Sequence, residues 1–463
     1  MTELLDLCYD VLIRILEEVD PEDLAACSQT SWSFNNFIKK NSPLYKAHYL
    51  RNFDDPRRNS PDAEPEWISE VQKLIRCQKI LNSGNLDLKR ENFTFVNTTV
   101  SSLLFTASEN DYDGKSLNTI ALGKYFDIPG NLDAFLYKST LYSRSSTSYS
   151  KAASTEEERQ LSAKNHVLYG IPTTIPGRRA LTRHPYARSR VYDLRWYTDA
   201  NGWGPYQQDG NMTVDWEMIE AIMVVLGYNS GLCCRRFLTR FRPPWSDPFE
   251  GVVRNHSVMQ ELPEWRPELL KQIAIPVADR DPYGVEGVWS RVVCFLDYND
   301  LYQFNFSSAA TRVPINEPRE PLRTEEAIRH ILMSLHVTKI EPAGDEANDD
   351  PSMPIVYFTG TSRAVDAQWD PNANSKLKGN VRMTKEGEVR WTTTSIFYGE
   401  ERWRSEGVQV GGIGSRRGVI GTWFDKDFDP HGPAGPTAFW KVAGNTFGIL
   451  DEDGSDMEEI TFD

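Results

Sequence analysis

With 463 residues, 40% of them hydrophobic and 25% charged, the chain exceeds the ~250–300 residues at which a single core stops growing, so two or more folded units are expected. Its net charge of −15 repels phosphate backbones and anionic lipid, which excludes nucleic acid and membrane surfaces as partners in this reading.

Residues Leu7 to Leu50 read as three short helices. Leu12, Ile15, Leu16 and Val19 recur at i, i+3, i+4 and i+7, one apolar stripe of a first helix. Asp20 caps the second, with Pro21 at its first position, Glu22 and Asp23 in its first turn, and Leu24 and Cys27 on its inner face. Ser31 or Ser33 caps the third, which carries Phe34, Phe37 and Ile38 at helical spacing. Three helices this short bury too little surface to stand alone, which implies a partner.

From Pro65 to about Leu141 the chain continues as helix, with Trp67, Ile68, Val71, Leu74 and Ile75 on one face. The Ser-rich stretch Tyr142 to Ser154 reads as an exposed loop, and Ser154 with Glu157 forms a capping box that opens another helix. Thr213 or Asp215 caps a helix with Trp216, Ile219, Ile222, Met223 and Leu226 inside, closed by Gly227.

Beyond about Phe249 the period changes. Val288 to Leu296, a turn at Asp297 to Asp300, and Leu301 to Phe306 read as a hairpin. Further strands follow at Ile355 to Thr359, Asn380 to Thr384, Val389 to Thr394, Val408 to Gly411, Val419 to Trp423 and Thr437 to Val442. Short strands with Gly-containing turns and no interleaved helices argue for an antiparallel barrel or sandwich. The acidic segment Gly344 to Asp350 reads as a loop and Asp451 to Asp463 as an acidic tail. The fold class is therefore α+β. Its parts are an N-terminal three-helix unit at 1–51, a helical connecting region at 52–245, a mainly antiparallel β-barrel with flanking helices at 246–445, and a tail at 446–463.

Two segments echo each other, Gly287-Val288-Trp289 and Gly421-Thr422-Trp423, where glycine permits close backbone approach and an indole fills one end of a barrel. Trp289 and Trp423, with the nearby Arg291 and His431, are the candidate substrate contacts. Arginines cluster at Arg178, Arg179, Arg183, Arg188, Arg190 and Arg195, and again at Arg235, Arg236, Arg240 and Arg242. Such groups can grip an anionic substrate but more often neutralise a protein's own acids. Gly412-Ile413-Gly414 with Gly418 leads into a strand and lacks the Lys-Ser/Thr of a phosphate loop. No nucleophile or metal motif stands out, so neither catalysis, cofactor nor metal is expected.

Leu7-Cys8-Tyr9-Asp10-Val11-Leu12, Ile15-Leu16, Asp23-Leu24 and the stretch to Phe37 resemble an F-box, with Cys8 where the family has proline. The resemblance implies a helical platform packed against Skp1 through Leu7, Val11, Leu12, Ile15, Leu16, Leu24, Phe34 and Phe37. Arg390-Trp391-Thr392, Glu400 to Gly407, Asp425 to Pro436 and Trp440-Lys441-Val442, with Trp203-Gly204-Pro205 and Val214-Asp215-Trp216-Glu217, resemble fungal F-box proteins with a C-terminal lipocalin-like β-barrel. The resemblance implies a non-catalytic substrate-recognition subunit of a Skp1–cullin–F-box ubiquitin ligase, with a protein degron bound at the barrel. A barrel that holds a small apolar ligand, or a scaffold that binds Skp1 without the cullin, are the alternatives. Six scattered cysteines (Cys8, Cys27, Cys77, Cys233, Cys234 and Cys294), an acidic start in place of an export signal, and no bilayer-length apolar run point to the cytosol or nucleus.

Overall fold

The apolar periodicity of the first 50 residues produces helices that fold onto one another. The computed structural model describes residues 4, 7–58, 64–109, 114–145, 154–173, 178–233, 242–253, 280–343, 348–365 and 374–442. Helices α1 (Tyr9–Glu17), α2 (Pro21–Thr30) and α3 (Trp32–Lys39) lie where three were expected, and a fourth, α4 (Ser42–Asn52), follows within the same span. The signal for α4 is Asn41, whose side chain accepts from Leu44 N at 3.2 Å, with proline in the first turn. Ser31 caps α3 by accepting from Phe34 N at 3.2 Å, whereas Asp20 precedes α2 without a side-chain cap bond. Leu12, Ile13, Leu16, Leu24, Ile38 and Leu44 make the core of this bundle.

The helical stretch from Pro65 is cut into α5 (Trp67–Asn82), α6 (Leu86–Glu91), α7 (Phe93–Phe105), α8 (Leu117–Asp127) and a π-turn at Leu132–Leu136. Polar side chains make the cuts: Asn85 accepts from Asp87 N at 2.9 Å, and Ser116 from Thr119 N at 3.1 Å. The chain divides into two compact units, the first ending at Lys138 and the second beginning at Ser139.

In the second unit, α9 (Thr140–Ser145), α10 (Glu156–Tyr169), α11 (Arg178–Val191) and α12 (Trp216–Cys233) precede the strands. The capping box of α10 is Thr155 and Glu158, one residue later than expected, with Glu158 N donating to Thr155 Oγ1 at 3.2 Å and Thr155 N to Glu158 Oε2 at 3.0 Å. Gly227 does not close α12, which runs on to Cys233. A Cβ at Gly227 would stand 2.8 Å from Ile171 Cγ2, so the glycine admits a close neighbour instead.

Eight antiparallel strands then close into a barrel: β1 (Gly287–Phe295), β2 (Ala327–Glu341), β3 (Ile355–Ala364), β4 (Asn374–Met383), β5 (Val389–Phe397), β6 (Glu400–Gln409), β7 (Val419–Asp425) and β8 (Ala434–Lys441), with β8 returning to β1. Helix α12 packs on the outside against β7, β8, β1 and β2. The expected hairpin partner of β1 is a helix, α13 (Tyr298–Phe306), capped by Asp297, which accepts from Asn299 N at 2.9 Å. Tyr298, Tyr302 and Phe306 recur every four residues and pack with tilted rings along it, so the aromatic spacing there is helical. The true neighbour of β1 is β2, a strand absent from the sequence reading.

Alternation turns Trp289, Met333, Leu335, Val356, Phe358, Leu377, Val381, Val389, Trp391, Val419 and Phe439 into one half of the barrel, where Tyr283 and Val285 plug the end. Trp289 meets Trp391 at 5.1 Å and Phe439 at 5.7 Å between ring centroids, both edge-on. This half is a packed core. The Ser-rich stretch past Ser145, residues 344–347 of the acidic segment and the tail lie outside the described residues. Asp349, at the end of the acidic segment, is buried against Arg382 at 3.0 Å and so belongs to the barrel.

Candidate functional site

Helix α1 carries apolar residues on two faces. One is spent on the bundle: Leu12 and Leu16, with Leu24 of α2, are 2%, 2% and 3% exposed, so three expected partner contacts are core residues of the bundle itself. The other faces solvent: Val11 and Ile15 are 45% and 40% exposed, joined by Tyr9, by Leu7 just before the helix, 37% exposed, and by Trp32 of α3. Phe34 and Phe37 lie between, half-buried against the bundle core, with Tyr9 packed on Phe37 at 5.7 Å. The sequence reading missed Tyr9 and Trp32. The available signal was an α1 stripe too wide to be buried on one side, since Leu7, Val11 and Ile15 repeat every four residues beside Leu12 and Leu16.

The four barrel candidates do not converge. Trp289 sits in the packed half and donates its indole N–H to Val285 O at 2.9 Å. Trp423 is also buried and donates to Cys294 O at 3.0 Å. The β1–β8 ladder ends at Val293 and Thr437, and the next residue of β8, Pro436, has no N–H to offer β1. The indole supplies a donor there, and Gly435 leaves room, since a Cβ would lie 2.9 Å from Trp423 Nε1. Both indole N–H groups are thus taken up by backbone carbonyls. His431 is exposed in the β7–β8 connection, 3.7 Å from Asp429 and tilted against the Phe306 ring at 4.6 Å, outside the barrel interior. Arg291 alone points inward as a charge, 6% exposed, with Nε donating to Thr437 Oγ1 at 2.9 Å.

The arginine clusters largely serve the protein's own acids. Arg188 reaches Glu326 at 2.8 Å, Arg190 reaches Asp215 at 2.6 Å, Arg195 reaches Asp193 at 2.7 Å, and Arg242 reaches Asp247 at 2.5 Å. Arg183 lies over the Tyr142 ring at 4.4 Å. The side chains of Arg178 and Arg179, and residues Arg235, Arg236 and Arg240, lie outside the described residues.

Residues 4–46 match the F-box domain. No curated protein and no solved structure matches the chain.

Proposed function

We propose, on the F-box at residues 4–46, that the chain is the substrate-recognition subunit of a Skp1–cullin–F-box ubiquitin ligase. The observation that carries this reading is the division of labour on α1. Leu12 and Leu16 complete the bundle core while Leu7, Val11, Ile15 and Trp32 remain uncovered, apolar surface that water penalises until a partner covers it. Skp1 is that partner in this reading, through an interface of about the standard ~1,600 Å². The barrel unit then recruits a protein degron and holds it near the ubiquitin thioester. Catalysis is by raised effective concentration, so the chain itself breaks no bond and takes no cofactor. A meander of eight strands is the arrangement of lipocalin-like barrels, which supports that part of the reading. No helix among the described residues is long and apolar enough to cross a membrane, and a site of action in the cytosol or nucleus is part of the proposal.

The test is reconstitution of the intact chain with purified Skp1 and cullin. A stoichiometric ternary complex supports the reading, Skp1 without cullin leaves a scaffold, and no complex with Skp1 removes it.

A further inference from the structure

Four aromatic rings form one exposed row on the second unit. On α13, Tyr298 and Tyr302 are 51% and 43% exposed, and the row continues through Phe306 to His431 of the β7–β8 connection, with ring centroids 6.2, 5.1 and 4.6 Å apart and each pair tilted. Water penalises such a surface, and α13 is held too firmly to turn it inward. Leu301 and Asn305 fix the inner side of the helix: Asn305 Nδ2 donates to Tyr192 O at 3.0 Å, its Oδ1 accepts from Leu194 N at 2.9 Å, and Arg319 Nη2 donates to Asn305 O at 3.2 Å. In the β7–β8 connection, Phe428 packs on Trp203 and Phe424 at 5.6 and 5.5 Å, while His431 N donates to Asp429 Oδ1 at 2.9 Å. Both elements that carry the rings are thus fixed before any partner arrives, which lowers the cost of binding one.

Charge selects the occupant. Residues 297–306 hold Asp297 and Asp300 and no Lys or Arg, and residues 425–433 hold Asp425, Asp427 and Asp429 against Lys426, which Asp427 already holds at 2.6 Å. Among the described residues neither Asp297 nor Asp300 pairs with a Lys, Arg or His, and Asp429 meets only His431, at 3.7 Å. A row of rings can stack nucleobases as well as cations, but phosphate is repelled here by the acids and by the net charge of −15. A guanidinium gains from both features: its plane lies on the negative face of a tyrosine or phenylalanine ring, and a neighbouring carboxylate meets its charge. We infer that the row of Tyr298, Tyr302, Phe306 and His431 docks a basic, arginine-bearing peptide segment of a protein partner, its guanidinium groups over the tyrosine rings and its charge answered by Asp300 and Asp429. That this partner is the ligase's substrate rests on the reading above; the docking itself does not.

The experiment follows the fluorescence anisotropy of a labelled peptide, Gly-Arg-Ser-Gly-Arg-Ser-Gly-Arg-Ser, titrated with the intact chain at about 0.15 M salt, where attraction to the net charge is screened beyond roughly 8 Å. The same peptide with Gln in place of each Arg is the neutral control. Saturation below about 1 mM is expected for the arginine peptide and none for the glutamine peptide. Tyr298→Ala with Tyr302→Ala removes no charge and should weaken binding at least about fivefold. Asp300→Asn should weaken it about two- to fivefold, and Asp87→Asn, at an exposed acid of the first unit, should leave it unchanged. Equal affinity for the two peptides, no saturation, or undiminished binding by the double tyrosine variant overturns the docking site. So does a loss in Asp87→Asn equal to that in Asp300→Asn, because the attraction is then non-specific. Should the double variant not fold, the two peptides on the parent chain and Asp300→Asn decide alone. Neither Skp1 nor cullin is present in the assay, so failure here leaves the ligase reading standing, and failure of the ligase reconstitution leaves this site standing.

Discussion

Asp54 and Asn118 hold each other by a reciprocal pair of hydrogen bonds: Asp54 N donates to Asn118 Oδ1 at 2.9 Å, and Asn118 N donates to Asp54 Oδ2 at 3.3 Å. The same buried carboxylate accepts from Leu117 N at 2.8 Å, Ser108 N at 3.1 Å and Ser116 Oγ at 2.5 Å, and so joins the free donors at the start of α8 to the segment that follows α7. Asp54→Ala leaves those donors buried without an acceptor and should destabilise the first unit by about 2–4 kcal/mol. Hydrogen exchange at the Leu117 and Asn118 amides should accelerate first, and unchanged protection there would contradict the role.

If the exposed face of α1 is the docking face proposed above, its two faces separate binding from folding. Val11→Asp with Ile15→Asp adds charge to an exposed face, so the melting temperature should barely move while Skp1 no longer copurifies. Leu16→Ala opens a cavity in the bundle core and should cost about 2–5 kcal/mol of stability. A Val11/Ile15 double variant that stays folded and still binds Skp1 stoichiometrically would remove this face from the interface.

Arg417 is a buried clamp. Its Nη1 donates to Pro244 O at 3.1 Å, Asp247 O at 3.0 Å and Glu250 O at 2.7 Å, while Nε donates to Val167 O at 3.3 Å, tying α10 and the 244–250 segment to the start of β7. Gly170 makes room for it: its φ is +100°, and a Cβ would lie 2.3 Å from both Arg417 Nη2 and Trp245 O. Arg417→Met strands four carbonyls, and Gly170→Ala forces the clamp apart. Each should cost about 3 kcal/mol or more, read as a fall in the barrel unit's unfolding midpoint. Arg417→Lys should not rescue, because a single ammonium cannot span carbonyls on both sides.

Acid should loosen the second unit through His184 and Glu326. Burial pushes the His184 imidazole below its ordinary 6.5, despite Glu326 at 3.3 Å. Burial alone would raise Glu326, but the His184 hydrogen bond and the Arg188 charge, with Asn229 at 2.7 Å, hold its carboxyl below the ordinary 4.5. Tyr228 stacks on His184 at 3.7 Å and keeps water out. Both folded-state values lie below the unfolded ones, so the unfolded chain takes up more protons as pH falls. Stability should therefore be full above about pH 6.5 and decline below it, first through His184 and, further down, through Glu326. Thermal melts from about pH 7.5 to about 5.5 should show the decline, and His184→Gln should flatten it over that window. An unaltered slope in His184→Gln would assign the effect elsewhere.

The sequence by itself determined what is local. The α1 stripe, the Ser31 cap and the adjacent strands β4 and β5 were legible, because side-chain period and turn chemistry act within a few residues. So was the closed antiparallel sheet, since short alternating strands have few ways to hide their edges. Tertiary structure decided which face each residue shows and to whom. Leu12 and Val11 are neighbours of similar hydrophobicity, yet only the packing of α2, α3 and α4 makes one core and the other surface. Leu301 to Phe306 alternates well enough for a strand, but the Asp297 cap and the packing of Tyr302 on Phe306 favour a helix, while β2, drawn from residues 327–341, takes the place beside β1. Arg291 looked like any arginine near a tryptophan. Closure of eight strands around it removed it from water and left it without an acid, a long-range outcome that no local pattern encodes.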